Sequence, residues 1–358
     1  GGYPKGSLLL ASDGNFYGTT GCGGTYSNGT IFKCTPTGLL TVLRHLNYSS
    51  DGANPYGSLY ENSDGYFYGM ASSGGTNYTY TGPIFKISPT GVFTVLFRLP
   101  DGAFGFNPAE SVVQATDGFF YGMSHNGGMN NYGTIYKMST NGTLTVLRHF
   151  DYYNTGGYPD GSLIQATDGN FYGMGTTGNN NLDGTIFKIT PTGTFTVLKL
   201  LDETVTGKLP YGHLTQGNDG NFYGITNGGG TGGYGTIFKI TPTGVFTVLK
   251  HLTSATGGYS FSSLTLGADG NFYGTTEDGG ANSSGSIFKI TPTGVFTVLK
   301  YFDYMNSGAS PWGSLVRAAD GNFYGMCSYG GQNFSGTIFK ITPSGTFTVL
   351  KHLNTSAT

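Results

Sequence analysis

With 358 residues, a formal net charge of −2, 10% charged residues, 37% hydrophobic residues and 64 glycines, the chain is too apolar for a disordered polymer and too weakly charged for a nucleic-acid binder. No apolar run approaches the ~18 residues that a membrane-spanning helix needs. The opening Gly1-Gly2-Tyr3-Pro4-Lys5 carries no export pattern, so a signal or an anchor, if one exists, lies outside these residues.

The first repeat sets the pattern. It reads SLLLAS, NFYGTT, GTIFKCT and LLTVLRHL, four runs rich in β-branched and aromatic residues, separated by DG, by GCGGTYSN and by PTG. Asp-Gly between two strand runs is a hairpin signal, because glycine accepts positive φ and the carboxylate bonds turn N–H groups. The same turn returns at Asp64, Asp117, Asp168, Asp219, Asp269 and Asp320, at spacings near 51 residues from Asp13 onward. One Asp per turn falls far short of the oxygens calcium requires, so these residues are read as turn formers.

Seven such repeats predict an all-β, seven-bladed β-propeller with four antiparallel strands per blade, in a single domain spanning 1–358. The blades are expected at about 1–50, 51–103, 104–154, 155–205, 206–255, 256–306 and 307–358. Both short joints then lie on one face of the ring and both long joints on the other. Phe16 and Tyr17, adjacent and hence on opposite faces of the second strand, recur as a pair in every repeat and imply a sheet covered on both sides. The third strand carries Lys33, Lys86, Lys137, Lys188, Lys239, Lys289 and Lys340, too many like charges for a narrow channel. The first strand, opening on Ser7, Ser58, Ser111, Ser162, His213, Ser263 and Ser314, is therefore placed innermost. The first and last blades share no strand, which leaves the seam to face packing alone.

Cysteines are few and lack metal-ligand spacing. Cys34 stands in an Ile/Met column and is expected in the core. Cys22 and Cys327 lie near the ends of second strands in blades 1 and 7, and a disulfide across the seam is sterically open to them. Seven N-x-S/T sequons occur, at Asn28, Asn47, Asn77, Asn141, Asn282, Asn333 and Asn354, close to the chance number for this composition, and they mark candidate glycosylation sites.

A site in a repeat array is sought where the repeats differ. Just before the first strand one column reads Lys5, Tyr56, Ala109, Asp160, Tyr211, Phe261, Trp312, and another reads Tyr3, Asn54, Asn107, Tyr158, Leu209, Tyr259, Ser310. At the end of the second strand a third reads Gly21, Ser72, His125, Thr176, Asn227, Glu277, Ser328. All three belong to the long-loop face. Tyr56, Asp160, Tyr211, Phe261 and Trp312 are the ligand-binding candidates, since aromatic faces beside polar groups suit a sugar. His125, His213 and Glu277 are the weaker catalytic candidates, together with Glu110 as a further acid unique to one repeat. Nothing in their spacing binds a metal or cofactor. His45, His149, His251 and His352 share an outer column and read as surface side chains.

The segments DGNFYGTT and GTIFKITPTGTFTVLKHL, with the paired glycines between second and third strands, resemble the GloVer tandem repeat of bacterial choice-of-anchor surface proteins. The third repeat departs from that pattern with Tyr136-Lys137 and Ser-Thr-Asn-Gly. The resemblance implies an extracellular or cell-surface protein and brings no activity with it. Three functions remain open: a non-catalytic binding or display module for a glycan or surface protein, a carbohydrate-active or lyase-type enzyme at the channel mouth, and a self-assembling structural subunit.

Overall fold

A computed structural model describes residues 1–74, 82–98, 105–108 (backbone alone for 106–108), 111–140, 142–178 and 183–355. Seven antiparallel sheets follow one another along the chain, each with its four strands in sequence order, as in Leu9–Leu10, Phe16–Thr20, Thr30–Cys34 and Leu40–His45. The third blade has an additional short strand, Phe106–Pro108, paired with Phe120–Asn126. The sheets form the expected seven-bladed propeller. Among the described residues no helix is long and apolar enough to cross a membrane.

The innermost strands are shorter than their sequence runs suggest. Only Leu9 and Leu10 pair with the second strand, opposite Tyr17 and Phe16. The residues before them turn toward the neighbouring blade: Ser7 N–H donates to Ser58 Oγ at 2.8 Å, His213 N–H to Ser263 Oγ at 2.7 Å, Ser263 N–H to Ser314 Oγ at 2.7 Å, and Ser314 N–H to Ser7 Oγ at 2.8 Å. The serine column is thus a belt of hydrogen bonds around the axis, and it spends backbone donors that a longer ladder would have used.

Between blades the Phe-Tyr pairs form a second closed circuit. Each tyrosine stacks on the phenylalanine of the following blade, Tyr17 on Phe67, Tyr121 on Phe171 and Tyr172 on Phe222 at 4.0 Å between centroids, and finally Tyr324 on Phe16 at 4.2 Å. Each contact sits in its own buried cluster, such as Tyr223, Ile237, Leu264, Phe272 and Phe288. An aromatic pair adds about 0.5–1.5 kcal/mol beyond the area it buries. At the periphery, Arg44 lies over Phe93 at 5.2 Å, Arg148 over Phe195 at 5.1 Å and Lys300 over Phe347 at 5.4 Å, each cation belonging to the preceding blade. Every third-to-fourth strand pairing also slips by one residue, between Ile31 and Phe32 in the first blade, which twists the exposed edge away from intermolecular pairing.

The seam departs from two expectations. It is not face packing alone: besides the Ser314–Ser7 bond, Tyr3 N–H donates to Ser335 O at 3.1 Å and the Ser328 hydroxyl donates to the Pro4 carbonyl. The disulfide also fails. Cys22 and Cys327 are free thiols, the first exposed and the second fully buried. Cys327 packs with Tyr273, Ile287 and Phe302 of blade 6, so its sulfur points to the side of blade 7 that faces away from blade 1. Cys34 is a core residue of the seam, beside Phe16, Phe32 and Tyr324.

Candidate functional site

The repeated turn is a structural device. Asp13 Oδ1 accepts the Asn15 N–H at 3.0 Å, while Oδ2 accepts the Tyr17 hydroxyl at 2.9 Å and the Lys33 ammonium at 2.8 Å. The same Tyr-to-Asp bond occurs in all seven blades, from 2.7 Å at Tyr68–Asp64 and Tyr121–Asp117 to 2.9 Å at Tyr324–Asp320. Gly14 has φ 77° with open space around it, so glycine is required there for its conformation and not for room. Burial works to raise the Asp168 pKa, but Asn170, Tyr172 and Lys188 outweigh it and hold the carboxyl at about 2. Burial, then the Asp64 acceptor, push the Tyr68 hydroxyl up to about 12.

The opposite face is built otherwise. The column from Lys5 to Trp312 rings the channel mouth, and its members touch. Tyr211 packs on Phe261 at 4.7 Å, Phe261 stacks on Trp312 at 5.1 Å, and Lys5 Nζ lies 4.2 Å from the Trp312 ring centre and 4.1 Å from that of Tyr56. The ring faces that would suit a sugar are therefore turned largely on one another. Burial lowers the Lys5 pKa against the attraction of Cys22 and Glu277. Ala109 and Glu110 lie outside the described residues, as does the side chain of Asn107.

The other two columns hold this ring in place. Tyr3, Asn54, Tyr158, Leu209, Tyr259 and Ser310 all adopt φ between 51 and 56°, left-handed positions without glycine. Each donates its N–H to a loop of the preceding blade, as Tyr158 does to Tyr132 O at 2.9 Å and Leu209 to Asp183 O at 2.9 Å. Such conformations cost about 1–3 kcal/mol each and persist where surrounding bonds over-determine them. The column at the end of the second strand reaches forward to the next blade: Thr176 Oγ1 donates to Pro210 O at 3.3 Å, Asn227 Nδ2 to Ser260 O at 3.2 Å, and Glu277 Oε1 accepts Trp312 Nε1–H at 2.8 Å. Likewise His125 Nδ1 lies 2.8 Å from Asp160 Oδ1.

The catalytic candidates are thereby separated. His125 lies against Asp160 with Nδ1 buried and outside hydrogen-bond geometry, Glu277 holds Trp312, and His213 sits in the serine belt with Nδ1 2.8 Å from Ser263 Oγ. Burial raises the Glu277 pKa, with the Trp312 bond opposing it. Among the described residues no three His, Cys, Asp or Glu side chains are grouped to hold a metal ion. The outer histidines are more than surface side chains: His45, His149, His251 and His352 each accept, through Nδ1, a backbone N–H of the loop joining second and third strands, at 3.1–3.3 Å.

The sequence led to an expectation of exposed tyrosines in the loops but not to the residues on the outer part of this face. Tyr26, Tyr153, Tyr304 and Phe334 are exposed there, with Met129 and Met305. Tyr132, Tyr152 and Tyr158 cluster beside His125, with centroids 4.9–6.2 Å apart. The available signal was tyrosine recurring in only some blades, as at Tyr48, Tyr152 and Tyr304 or at Tyr132 and Tyr234. Among the described residues the exposed large side chains of the tight-turn face are aliphatic, Leu39, Val92, Val245 and Val295. The sequons at Asn28, Asn47, Asn282 and Asn333 also lie in the long loops, with Asn282 Nδ2 engaged to Phe302 O at 2.9 Å, and that at Asn354 follows the last strand, while Asn77 and Asn141 fall outside the described residues.

A family model described as the Gloeobacter/Verrucomicrobia repeat matches residues 1–111, 81–267 and 204–358. No curated protein matches the sequence. Similar solved structures include a putative 6-phosphogluconolactonase from Bacteroides uniformis (17% identity, 91% of this chain and 93% of that one, TM-score 0.61). They also include the periplasmic gluconolactonase of Pseudomonas aeruginosa (15% identity, 96% and 98%, TM-score 0.60). A third is the extracellular domain of a putative one component system from B. thetaiotaomicron (14% identity, TM-score 0.60), where 90% of this chain spans 37% of the other. At these identities the likeness is one of fold.

Proposed function

The chain belongs to the Gloeobacter/Verrucomicrobia repeat family, and from that premise we propose that it is a non-catalytic extracellular or cell-surface binding module, engaging a glycan or a surface protein through its long-loop face. The observation that carries this reading is the segregation of exposed aromatic side chains. Tyr26, Tyr153, Tyr304 and Phe334 stand on long loops rich in Gly, Ser, Thr and Asn. Tyrosine gives large amphipathic contact area at low entropic cost, and small polar neighbours adapt their hydrogen bonds, the composition that general-purpose recognition loops share. The separate engagement of His125, His213 and Glu277 favours binding over catalysis, since no two of them converge on one reacting atom.

Glycan-array binding by the whole chain tests the proposal. Tyr153→Ala and Phe334→Ala are expected to weaken binding sharply, and Val245→Ser on the opposite face to leave it unchanged. Equal loss in the Val245 variant, or a lactone- or glycoside-cleaving activity that His213→Ala removes, would overturn it.

A further inference from the structure

The channel mouth holds one arrangement that the proposed surface does not explain. The Lys5 ammonium sits between two aromatic rings, 4.1 Å from the centre of Tyr56 and 4.2 Å from that of Trp312. Trp312 is itself fixed by its Nε1–H bond to Glu277 at 2.8 Å. Two ring faces and a carboxylate around a partly desolvated cation are the components by which proteins recognise alkylammonium groups, because the ring quadrupole attracts a cation once water is reduced. In this ring column the other described positions carry Asp160, Tyr211 and Phe261, so Lys5 is its one cation among the described residues.

We infer that Tyr56, Trp312 and Glu277 form a binding site for an alkylammonium group, and that Lys5 is its built-in occupant, which a ligand bearing such a group must displace. A neutral sugar would need the ring faces that Lys5 covers, whereas an ammonium group can exchange with the lysine one charge for another. The lysine is tethered beside the site, so only the fraction of molecules with Lys5 withdrawn can take a ligand, and apparent affinity falls by that fraction. The site therefore acts as a gated one, with the gate supplied by the residue that differs from its six counterparts.

This inference rests on the long-loop face being the binding surface, but its test reads the mouth alone. Trp312 is the only tryptophan in the chain, so its fluorescence reports the site directly. Tetramethylammonium chloride is titrated into the whole protein against sodium chloride at matched ionic strength. Lys5→Ala is expected to give a saturable change in Trp312 emission with an apparent Kd at least about ten-fold below that of the unsubstituted protein. Lys5→Ala/Tyr56→Ala is expected to lose it. Lys5→Met, which keeps the apolar stem, serves as the second opening variant if the alanine form does not fold. A folded Lys5 variant with no saturable change, or one whose response survives Tyr56→Ala, overturns the inference. Loss of glycan binding with the ammonium response intact would instead count against the broader reading of the face.

Discussion

The two faces of the ring are made by the same seven repeats under opposite constraints. On the tight-turn face each blade repeats one solution, Asp bonded by its own turn N–H and by the tyrosine four residues on, with a lysine reaching the same carboxylate in blades 1, 2 and 4. On the long-loop face no blade repeats its neighbour at the mouth, yet the backbone beneath does: six described crossing segments share the same left-handed residue and the same bond to the preceding blade. Variation in side chains is tolerated there because main-chain geometry fixes the loop.

That contrast can be broken first in the core. Phe272→Ala removes the partner of Tyr223, 4.0 Å away, and is expected to cost about 3–5 kcal/mol in urea-induced unfolding. A loss under about 1 kcal/mol would show that the stacked circuit is not what holds neighbouring blades. Next comes the turn: Tyr121→Phe deletes the 2.7 Å bond to Asp117 and should cost about 1 kcal/mol by the same measurement, with mouth binding unchanged.

Acid sharpens the comparison from another side. The folded Asp168 carboxyl, whose pKa burial would raise and whose partners depress it to about 2 from 3.8, binds fewer protons than in the unfolded chain. Its contribution is present above pH 3.8 and is lost as pH falls toward about 2. Denaturation midpoints followed across that window should drop in the unsubstituted chain and less steeply in Asp168→Asn. Equal slopes would remove the turn carboxylate from the account.

A smaller gain is expected at the seam. Blade 1 carries Leu40 where blade 2 carries Phe93, so where Arg44 lies over a ring, Lys351 lines a groove with Leu40, Val42 and Phe32. Leu40→Phe should stabilise by about 0.5–1 kcal/mol, readable as a rise in the urea midpoint. Smallest of all, Tyr153→Ser on the exposed loop should shift stability by no more than about 0.5 kcal/mol while weakening partner binding.

Much of the fold was legible because it is periodic. Asp13-Gly14 marks a turn by its own chemistry, and Phe16-Tyr17 demands cover on both sides whatever surrounds it. The Tyr17–Asp13 bond was harder to foresee, since each residue already had a sufficient reason to recur. The two-residue inner ladder was hidden because the serines that shorten it look like strand residues until the axis brings Ser7 beside Ser58. The mouth was half legible: Lys5, Tyr56 and Trp312 stood out as differing residues, but the contact of Lys5 with Trp312 depends on ring closure between residues 307 positions apart. The left-handed positions gave no sign, because no glycine marks Tyr158 or Leu209.

At the axle, a side chain on Gly6, Gly161, Gly212 or Gly313 would collide with a carbonyl of the adjoining blade. At these four points the hub is as tight as bare backbone allows, while blade 6 accommodates the hydroxymethyl group of Ser262 at the equivalent place. Bulkier residues at those four positions would wedge adjoining spokes apart at the axle, so the closeness of the inner turns is written in what these positions leave out.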